Sequence, residues 1–228
     1  MQTTKSHKHK ANSIKQYTHK STIVDTNLSS IQSIGLYKTI YRLGKGGSSE
    51  VYAAKGPWSR RVAVKFQRTP KKRHRFLQEI DICNNFTHPN LSCMLGFGID
   101  AEGWSYIIMD LIDGQSAYKY ASNVPETEKL PRILDLAISI SKTIHVFHEK
   151  NWIHGDIKSK NILVKTDHTP ILIDFELTRS LQKTGRGKFF GTRSYAPPEQ
   201  HRGENLTPSV DIYSLTAILF HLDCFLFH

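Results

Sequence analysis

The feature that most constrains the fold of this chain is the order of its periodic segments, in which β-like runs come first and helical runs follow. Alternating, β-rich runs bounded by Gly and Pro cover residues 37–43, 50–54, 61–67, 91–99 and 104–111. Helical spacing covers 76–86 and 133–149, short β runs return at 161–165 and 170–175, and a last apolar helix begins at Val210. This order predicts an α+β fold in which a small antiparallel β unit with one main helix is joined to a mainly helical unit.

The positive charge of the chain is concentrated near its start. The chain has 228 residues and a formal net charge of +11, which suits nucleic acid, an anionic membrane surface or acidic substrates as partners. Residues 1–24 hold five lysines and three histidines, and no acidic residue precedes Asp25. This stretch has few apolar residues and no periodicity, so we expect residues 1–35 to form a basic disordered tail and a linker. Because no aromatic interleaving or known binding motif accompanies the charge, we expect no specific nucleic-acid partner.

We predict neither a secretory signal nor a membrane span. The stretch from Met1 to Lys20 lacks an apolar core, and no other run is long and uncharged enough to cross a bilayer. The three cysteines, Cys83, Cys93 and Cys224, have neither metal-ligand spacing nor the density of a disulfide framework. We therefore expect an intracellular protein, either cytoplasmic or nuclear.

Two segments of the β-like half carry possible phosphate-binding chemistry. The run Leu-Gly-Lys-Gly-Gly-Ser-Ser-Glu-Val from Leu43 to Val51 puts three glycines in a turn, where backbone N–H groups can approach phosphate oxygens. Taken alone, this run of residues fits the turn of an ordinary β-hairpin at least as well as a phosphate-binding loop. Fourteen residues further on, the strand Val-Ala-Val-Lys ends at Lys65, whose charge is costly to bury unless it is paired. Lys65 either reaches to water or holds phosphates, with Glu79 on the inward face of the next helix as its counter-charge.

The most informative single segment is His-Gly-Asp-Ile-Lys-Ser-Lys-Asn at 154–161. Phosphoryl transfer needs a carboxylate to accept the hydroxyl proton, a cation to offset charge on the moving group, and an oxygen ligand for magnesium. Asp156, Lys158 and Asn161 supply these three groups. The alternative, a polar loop with a capping aspartate, explains the spacing poorly.

Three later segments complete the pattern. Ile-Leu-Ile ends in Asp174, a carboxylate with little structural reason to follow three aliphatic residues and of the type that ligates magnesium. The run Gly-Thr-Arg-Ser-Tyr-Ala-Pro-Pro-Glu covers 191–199, and Val-Asp-Ile-Tyr-Ser-Leu covers 210–215.

With these segments in this order, the chain resembles eukaryotic-type serine/threonine protein kinases from about Leu36 to its last residue. The resemblance implies a bilobal protein-kinase-like fold with a small lobe at 36–111 and a large lobe at 112–228. It also implies ATP and Mg²⁺ as cofactors and transfer of the γ-phosphoryl group to Ser or Thr hydroxyls of a protein substrate. Lys158 and the pair Gly191–Thr192 are similar to the serine/threonine branch and not to the tyrosine branch.

The resemblance also implies a role for each site residue. Lys65 would hold the α- and β-phosphates while paired with Glu79, Asp156 would be the base, and Lys158 would contact the γ-phosphate. Asn161 and Asp174 would ligate magnesium. The nucleotide-binding set implied by the family is the phosphate loop with Gly44, Gly46 and Gly47, the adenine contacts Leu43, Val51, Ala63 and Leu163, the gatekeeper Met109 and the hinge Asp110–Ile112. Cys83, Met94, His154 and Phe175 are similar to the stacked spine that joins the lobes.

Four residues depart from the family pattern. Ser49 stands where a third loop glycine is usual, and Pro197 stands where alanine is usual. Gly155 stands where an arginine often precedes the base, and such an arginine docks a phosphorylated activation loop, so we expect no switching by loop phosphorylation. Glu176 replaces the glycine after Asp174-Phe175, which removes a freely rotating hinge.

Three other functions remain open. The residues at 154–156 and 173–176 are also similar to those of small-molecule phosphotransferases of the aminoglycoside and choline kinase type. Membership of that class would not account for Lys158 or for the segment 191–199. A catalytically inert kinase that acts as a binding module is a second alternative, and a nucleic-acid binder based on the basic tail is a third.

The last helix leads to an expectation about association. From Ile212 the chain is apolar on almost every helical face, so the helix has to be buried all round. By resemblance this is the central helix of the large lobe, and the chain ends just after it. We expect a C-terminally truncated catalytic domain with an incomplete large lobe, an exposed apolar patch, self-association and weak activity.

Overall fold

The computed structural model describes residues 15–19, 33–46, 49–67, 73–100, 103–183 and 187–223. Seven strands of this chain form one mixed sheet with the order β1-β6-β7-β5-β4-β3-β2. The strands are β1 (Lys15–His19), β2 (Ser33–Ile34), β3 (Tyr37–Lys45), β4 (Ser49–Lys55), β5 (Arg61–Gln67), β6 (Met94–Asp100) and β7 (Ser105–Asp110). Every neighbouring pair is antiparallel except β1 and β6, which run parallel.

Both faces of this sheet carry buried apolar clusters, and its central strands β4, β5 and β7 are buried at most positions. One face holds a cluster built around Tyr52, Val64 and Tyr106. The other face packs against helix α1 (Arg73–Asn85), where Phe76 and Ile80 contact Ile107 of β7. Helix α1 therefore lies on the same face of the sheet as Ala63 and Lys65, since alternate residues of β5 point to opposite faces.

The second half of the chain is mainly helical. Its helices are α2 (Ala117–Asn123), α3 (Glu126–His148), α4 (Pro198–His201) and α5 (Ser209–Asp223). Its strands are β8 (Gly114–Ser116), β9 (Trp152–Ile153), β10 (Ile162–Lys165), β11 (Pro170–Leu172) and β12 (Arg179–Ser180). Three of them form a small sheet with the order β11-β10-β8, and β12 pairs with β9.

The core of the helical half lies between α3, α5 and the small sheet. Ile140, Ile144 and Phe147 line one side of α3 and are completely buried, and Ile218 of α5 packs in the same cluster. The cluster also takes in Phe86, just after α1. Helix α1 thus connects the apolar contacts of the two halves, so a shift of this helix acts on both.

The predicted α+β, bilobal fold is confirmed, with differences at particular elements. Within the predicted tail, Lys15–His19 forms strand β1 along the otherwise open edge of β6, and unpaired sheet edges readily accept such a strand. The sequence analysis gave no element for α2, a seven-residue helix whose first turn depends on Ser116 and Ser159 accepting N–H groups of Lys119 and Tyr118. Gly47 and Cys224 lie outside the described residues.

The sequence of helix α5 requires burial on every face, and among the described residues the helix is buried over only part of its surface. Val210 and Ile218 are completely buried. Ile212, Tyr213 and Phe220 remain 48%, 47% and 67% exposed. No helix in the described part of the chain combines the length and the hydropathy needed to cross a bilayer.

Candidate active site

A network of three charged side chains, two of them buried and the third, Asp174, partly exposed, lies between the seven-stranded sheet and the helical half. Lys65 Nζ of β5 donates hydrogen bonds to Glu79 Oε1 and Oε2 of α1 at 2.9 and 2.7 Å. It also donates to Oδ1 of Asp174, just after β11, at 2.8 Å. Lys65 is 5% exposed and Glu79 is 1% exposed, so the lysine does not reach to water and the counter-charge predicted from the sequence is present.

The charges of Lys65 and Asp174 stabilise each other's ionised forms. Burial by itself lowers the pKa of the Lys65 ammonium, but the charges of Asp174 and Glu79 and their hydrogen bonds raise it above its ordinary value. Burial also works to raise the pKa of Asp174, and the Lys65 ammonium overcomes it and lowers that pKa to about 2. Burial raises the pKa of Glu79, with Lys65 opposing the effect. Lys65 is therefore a fixed cation and Asp174 a fixed anion at neutral pH.

Four residues predicted to contact the nucleotide share one face of the sheet with Lys65. Val51 is the register partner of Lys65, and Ala63 is the register partner of Met109. Gly44 is opposite Val51 on the neighbouring strand. Ala63 is buried, whereas Val51 and Met109 are half-buried. An apolar surface that is open on one side thus adjoins the Lys65 ammonium. This pairing of an apolar surface with a cation suits a nucleotide, which has a flat nucleobase and anionic phosphates.

The remaining predicted nucleotide contacts lie around this face. Leu43 is 47% exposed near the end of β3, and Gly46 N–H donates to Ser49 O at 2.8 Å to close the turn between β3 and β4. A Cβ added to Gly44 would meet no atom within 4 Å, so space is open above this part of the turn. The hinge residues Asp110 and Ile112 are half-buried, as is Leu163 on β10 of the helical half.

A second set of polar side chains surrounds Asp156. Its Oδ2 accepts from Lys158 Nζ at 2.5 Å and its Oδ1 accepts from Thr192 Oγ1 at 2.7 Å. Lys158 Nζ also lies 3.1 Å from Thr192 Oγ1. The three groups form a closed triangle in which a carboxylate, an ammonium and a hydroxyl are held in mutual contact. Only 9% of Asp156 is exposed, which is the setting in which such charge-assisted contacts are strongest.

Asp211 fixes the backbone of the segment that carries Asp156. Its two carboxylate oxygens accept the N–H groups of His154 and Gly155, each at 2.9 Å. Asp211 Oδ2 also contacts His148 Nε2 of α3 at 2.9 Å. Since Asp211 is completely buried at the start of α5, it ties the loop at 154–161 to two helices. This explains the position of an aspartate at the start of an apolar helix.

Asn161 and Asp174 form an oxygen donor set that fits magnesium. Asn161 Nδ2 donates to Asp156 O at 2.9 Å, so Oδ1 is the end of the amide that remains for a ligand. Asp174 is ionised and has a left-handed backbone with φ 66°. Among the described residues no group of three or more His, Cys, Asp or Glu side chains gathers as a metal cage. Mg²⁺ is commonly held by one or two protein oxygens together with substrate phosphates, so this pair suits it.

The spine residues predicted from the resemblance are partly in contact. Phe175 lies edge-on to His154, with ring centroids 5.7 Å apart, and 6.0 Å from Phe147 of α3. Cys83 of α1 packs on the cluster that contains Phe175. Met94 belongs to a different cluster, around Phe76 and Ile107. Phe175 is 2% exposed, so the aromatic ring after Asp174 is anchored in the core.

The departure at position 155 has a direct structural consequence. Gly155 has φ 77°, and a Cβ added there would lie 2.9 Å from the Phe190 ring. A larger side chain therefore does not fit without displacing Phe190. The Arg179 guanidinium lies 3.3 Å above the centroid of that ring. Burial, followed by repulsion from Arg75, lowers the pKa of Arg179 to about 10.

The departure at position 176 is explained by an ion pair. Glu176 Oε1 lies 3.5 Å from Arg75 Nη1 of α1, and Gln78 of the same helix donates to Thr178 O. Both contacts join α1 to the stretch just after Phe175. Compared with the glycine that is usual in the family, Glu176 has less backbone freedom and is linked to the helix that carries Glu79.

Two contributors to the site were not assigned a role from the sequence. Thr192 is singled out in the sequence as one of a branch-specific pair, and the structure places it in contact with Asp156. Gln200 of α4 was not considered; its Nε2 donates to Gly155 O and Phe190 O, both at 2.9 Å, and it is 2% exposed. A buried glutamine close to a Pro-Pro-Glu run was the available signal, since a buried amide has to find partners.

The arrangement agrees with comparisons against known proteins. The protein kinase domain family matches residues 37–227. The chain is 33% identical to a probable serine/threonine-protein kinase, mkcF, of Dictyostelium discoideum over 81% of this chain and 27% of that protein. It is 30% identical to the probable serine/threonine-protein kinase PknB of Lactococcus lactis, over 82% of this chain and 31% of that protein. It is 31% identical to the DNA damage-responsive serine/threonine-protein kinase RqkA of Deinococcus radiodurans, over 83% of this chain and 30% of that protein.

The chain belongs to the protein kinase family, because the family match covers most of its length. This confirms the resemblance inferred from the ordered motifs. The chain spans less than a third of the length of these three curated relatives.

Proposed function

We propose that this chain is a serine/threonine protein kinase that transfers the γ-phosphoryl group of Mg-ATP to hydroxyl groups of a protein substrate. The observation that carries the proposal is the contact of Asp156 with both Lys158 and Thr192, next to the charged network of Lys65, Glu79 and Asp174. A general base, a cation beside it and a fixed cation for the phosphates are the parts that phosphoryl transfer uses.

The proposed reaction follows from the positions of these groups. The substrate hydroxyl donates its proton to Asp156 while its oxygen attacks the γ-phosphorus. The bond from that phosphorus to the bridging oxygen of the β-phosphate breaks, and ADP leaves with the electron pair. Lys158 offsets negative charge on the phosphoryl group in flight, and Lys65 holds the α- and β-phosphates. Thr192 orients the Asp156 carboxylate from the opposite side.

Magnesium belongs to the proposed site through Asn161 and Asp174. When bound, it neutralises charge on the phosphate oxygens of the nucleotide. Asp174 is the stronger of the two ligands because its carboxylate is ionised and positioned by Lys65. Leu43, Val51, Ala63, Met109 and Leu163 are proposed to hold the adenine, with the hinge at residues 110–112.

A protein substrate is favoured over a small molecule by the segment 187–202. This segment reaches the Asp156 carboxylate through Thr192 and is tied to Gly155 by Gln200. A segment held beside the base gives a peptide an adjacent surface to bind. The loop at 154–161 alone would serve a small alcohol equally well, so the segment decides between the two substrate classes.

The direct test is transfer of radiolabelled phosphate. We expect a purified chain to label a mixture of basic and acidic protein substrates on Ser and Thr in the presence of Mg-ATP, and to label neither aminoglycosides nor choline. Asp156→Asn should abolish the labelling while leaving nucleotide binding intact. Labelling of a small alcohol alone would overturn the proposed substrate class. Nucleotide binding without any transfer would favour an inert binding module.

The division into a small lobe at 36–111 and a large lobe at 112–228 is also part of the proposal, and it is supported by the cluster around Tyr52, Val64 and Tyr106, which holds no residue beyond Ile108. An intracellular compartment, cytoplasmic or nuclear, is proposed because the reaction needs ATP and because Cys83 and Cys93 are free thiols. Self-association is proposed from the exposed apolar side chains of α3 and α5 and is tested below.

A further inference from the structure

The turn between β4 and β5 displays a fully exposed tryptophan on a constrained backbone. Trp58 is 95% exposed. It and Ser59 have left-handed backbones, with φ 53° and 63°, a conformation that residues with a Cβ rarely adopt. Gly56 N–H donates to Arg60 O at 2.9 Å, and Arg60 N–H donates to Pro57 O at 3.3 Å. The turn is therefore closed, and the indole points outward from a defined position.

Three cations stand side by side next to this turn. Lys38, Lys55 and Arg61 are register partners on β3, β4 and β5, so their side chains leave the same face of the sheet at neighbouring positions. All three are exposed. In the part of the chain that the structure describes, none of them forms an ion pair, whereas the nearby Arg60 is paired with Asp110 at 2.9 Å.

This combination is unfavourable for the folded chain alone. Like charges directly opposite each other in a sheet repel, and a large exposed aromatic ring gains nothing from packing. A left-handed backbone at the tip of the turn and a row of like charges beside an exposed ring are features that point to a ligand. The ligand has to be anionic to satisfy the cation row and has to offer an apolar or interfacial environment to the indole.

We propose that Trp58 and the row Lys38, Lys55 and Arg61 form a peripheral docking surface for an anionic membrane. Tryptophan prefers the boundary between lipid headgroups and acyl chains, and basic side chains near that boundary are attracted to anionic lipid headgroups. Trp58 enters the headgroup region while the three cations contact lipid phosphates and carboxylates. This function is independent of phosphoryl transfer at Asp156.

A membrane explains the surface better than a nucleic acid does. A single-stranded nucleic acid is held by several aromatic rings that stack successive bases, and here one ring stands at the tip of a turn. A single protruding ring beside a short row of cations fits a planar anionic layer.

The test is sedimentation of the full chain with vesicles of phosphatidylcholine alone and of equimolar phosphatidylcholine and phosphatidylserine. We expect binding to the anionic vesicles only. The double variant Lys38→Gln/Lys55→Gln should weaken partitioning by roughly 25-fold, since each cation contributes about fivefold, or about 1 kcal/mol. The double variant Lys119→Gln/Lys142→Gln removes equal charge from exposed positions of the helical half and should change partitioning little.

The indole is tested separately. Vesicle binding should shift the tryptophan emission of the unaltered chain to shorter wavelength, and this shift should be lost in Trp58→Phe. Trp58→Ala should weaken partitioning about tenfold. Equal losses in the two lysine double variants, or an unshifted emission, would overturn the proposal. The proposal would also be overturned if the chain bound a single-stranded RNA through Lys38 and Lys55 and did not bind vesicles. Melting temperatures equal to or above that of the unaltered chain would show that the variants are folded, since removing a like-charge pair relieves repulsion.

Discussion

The Thr192 hydroxyl donates a 2.7 Å hydrogen bond to Oδ1 of Asp156, while Oδ2 of the same carboxylate accepts from Lys158 at 2.5 Å. The proposed base is thus held from two sides, by its own loop and by a segment 36 residues further along the chain. Its orientation depends on the seating of that segment, which Gln200 fastens to Gly155. The assembly of the site and the binding surface for a peptide are therefore coupled.

We predict that Thr192→Val lowers kcat by about tenfold to a hundredfold and leaves the KM for ATP nearly unchanged. A hydrogen bond to a charged group contributes about 1.5–3 kcal/mol, and this one acts on the base and not on the nucleotide. Steady-state kinetics with a peptide substrate measures both constants. Thr192→Ser is the matched control and should retain most of the activity. A change confined to the KM for ATP would contradict the positioning role.

We predict that Asp174→Ala abolishes transfer and that Lys65→Met reduces it by at least about a hundredfold, because charge stabilisation supplies most of the catalysis in this reaction. Lys65→Met should also leave Glu79 buried without its counter-charge, so its melting temperature has to be measured beside its activity. Lys142→Met, on the exposed surface of α3, is the control. Full activity in either site variant would refute the assignment.

We predict that phosphatase treatment changes the activity little. Gly155 offers no cation to a phosphate, and an arginine there would collide with Phe190. Arg179 is stacked on the Phe190 ring, and Thr178 is completely buried. Arg186, another possible docking cation, lies outside the described residues. Activity before and after phosphatase measures the effect. A large loss that disappears in Arg179→Gln would show that Arg179 docks a phosphate after all.

We predict that stability falls as the pH drops below the ordinary imidazole pKa of about 6.5. Burial lowers the pKa of His154, and the charges of Asp211, Asp156 and Asp174 only partly oppose this. The unfolded chain then binds a proton that the folded chain does not, so stability is full above that pKa and is lost toward the folded pKa. Urea unfolding at about pH 7.5 and about pH 5.5 should show this loss, and His154→Phe should reduce it. If the unaltered chain and His154→Phe lost the same stability, a group other than His154 would be the one that binds the proton.

Most of the fold and much of the site could be predicted because their signals are local. Strands β4 and β5 are marked in the sequence by β-forming residues between Gly and Pro signals, and the bounds predicted for β5 agree with the structure. The pairing of Lys65 with Glu79 was predictable because a buried lysine needs a counter-charge and the next helix offered one on its inward face.

The rest depends on contacts between distant segments. The contact between Thr192 and Asp156 and the ion pair between Arg75 and Glu176 arise only when the chain closes on itself. No periodic pattern in the sequence predicts these two contacts. Strand β1 was missed for a related reason: its pairing depends on an open edge at β6, which is a property of the assembled sheet and not of the tail sequence.

The last prediction concerns the apolar surface of the helical half. Leu130, Leu134 and Ile138 follow one another at four-residue intervals along α3 and are each slightly more than half exposed, so they form a stripe on one helix face. Phe220 of α5 is 67% exposed. A stripe of this kind loses unfavourable contact with water when two copies meet, at about 25 cal/mol per Å² of apolar surface covered. We therefore expect the isolated 228-residue chain to associate at micromolar concentration and to bind a dye for apolar surfaces.

Light scattering and dye fluorescence measure this association. Leu134→Glu puts a charge in the centre of the stripe and should shift the chain toward the monomer and lower the dye signal. Thr166→Glu adds the same charge at an exposed position of the turn between β10 and β11, outside the stripe, and should leave both unchanged, which separates the stripe from net charge. A monomer that binds no dye, or two variants that respond equally, would show that the stripe does not drive association.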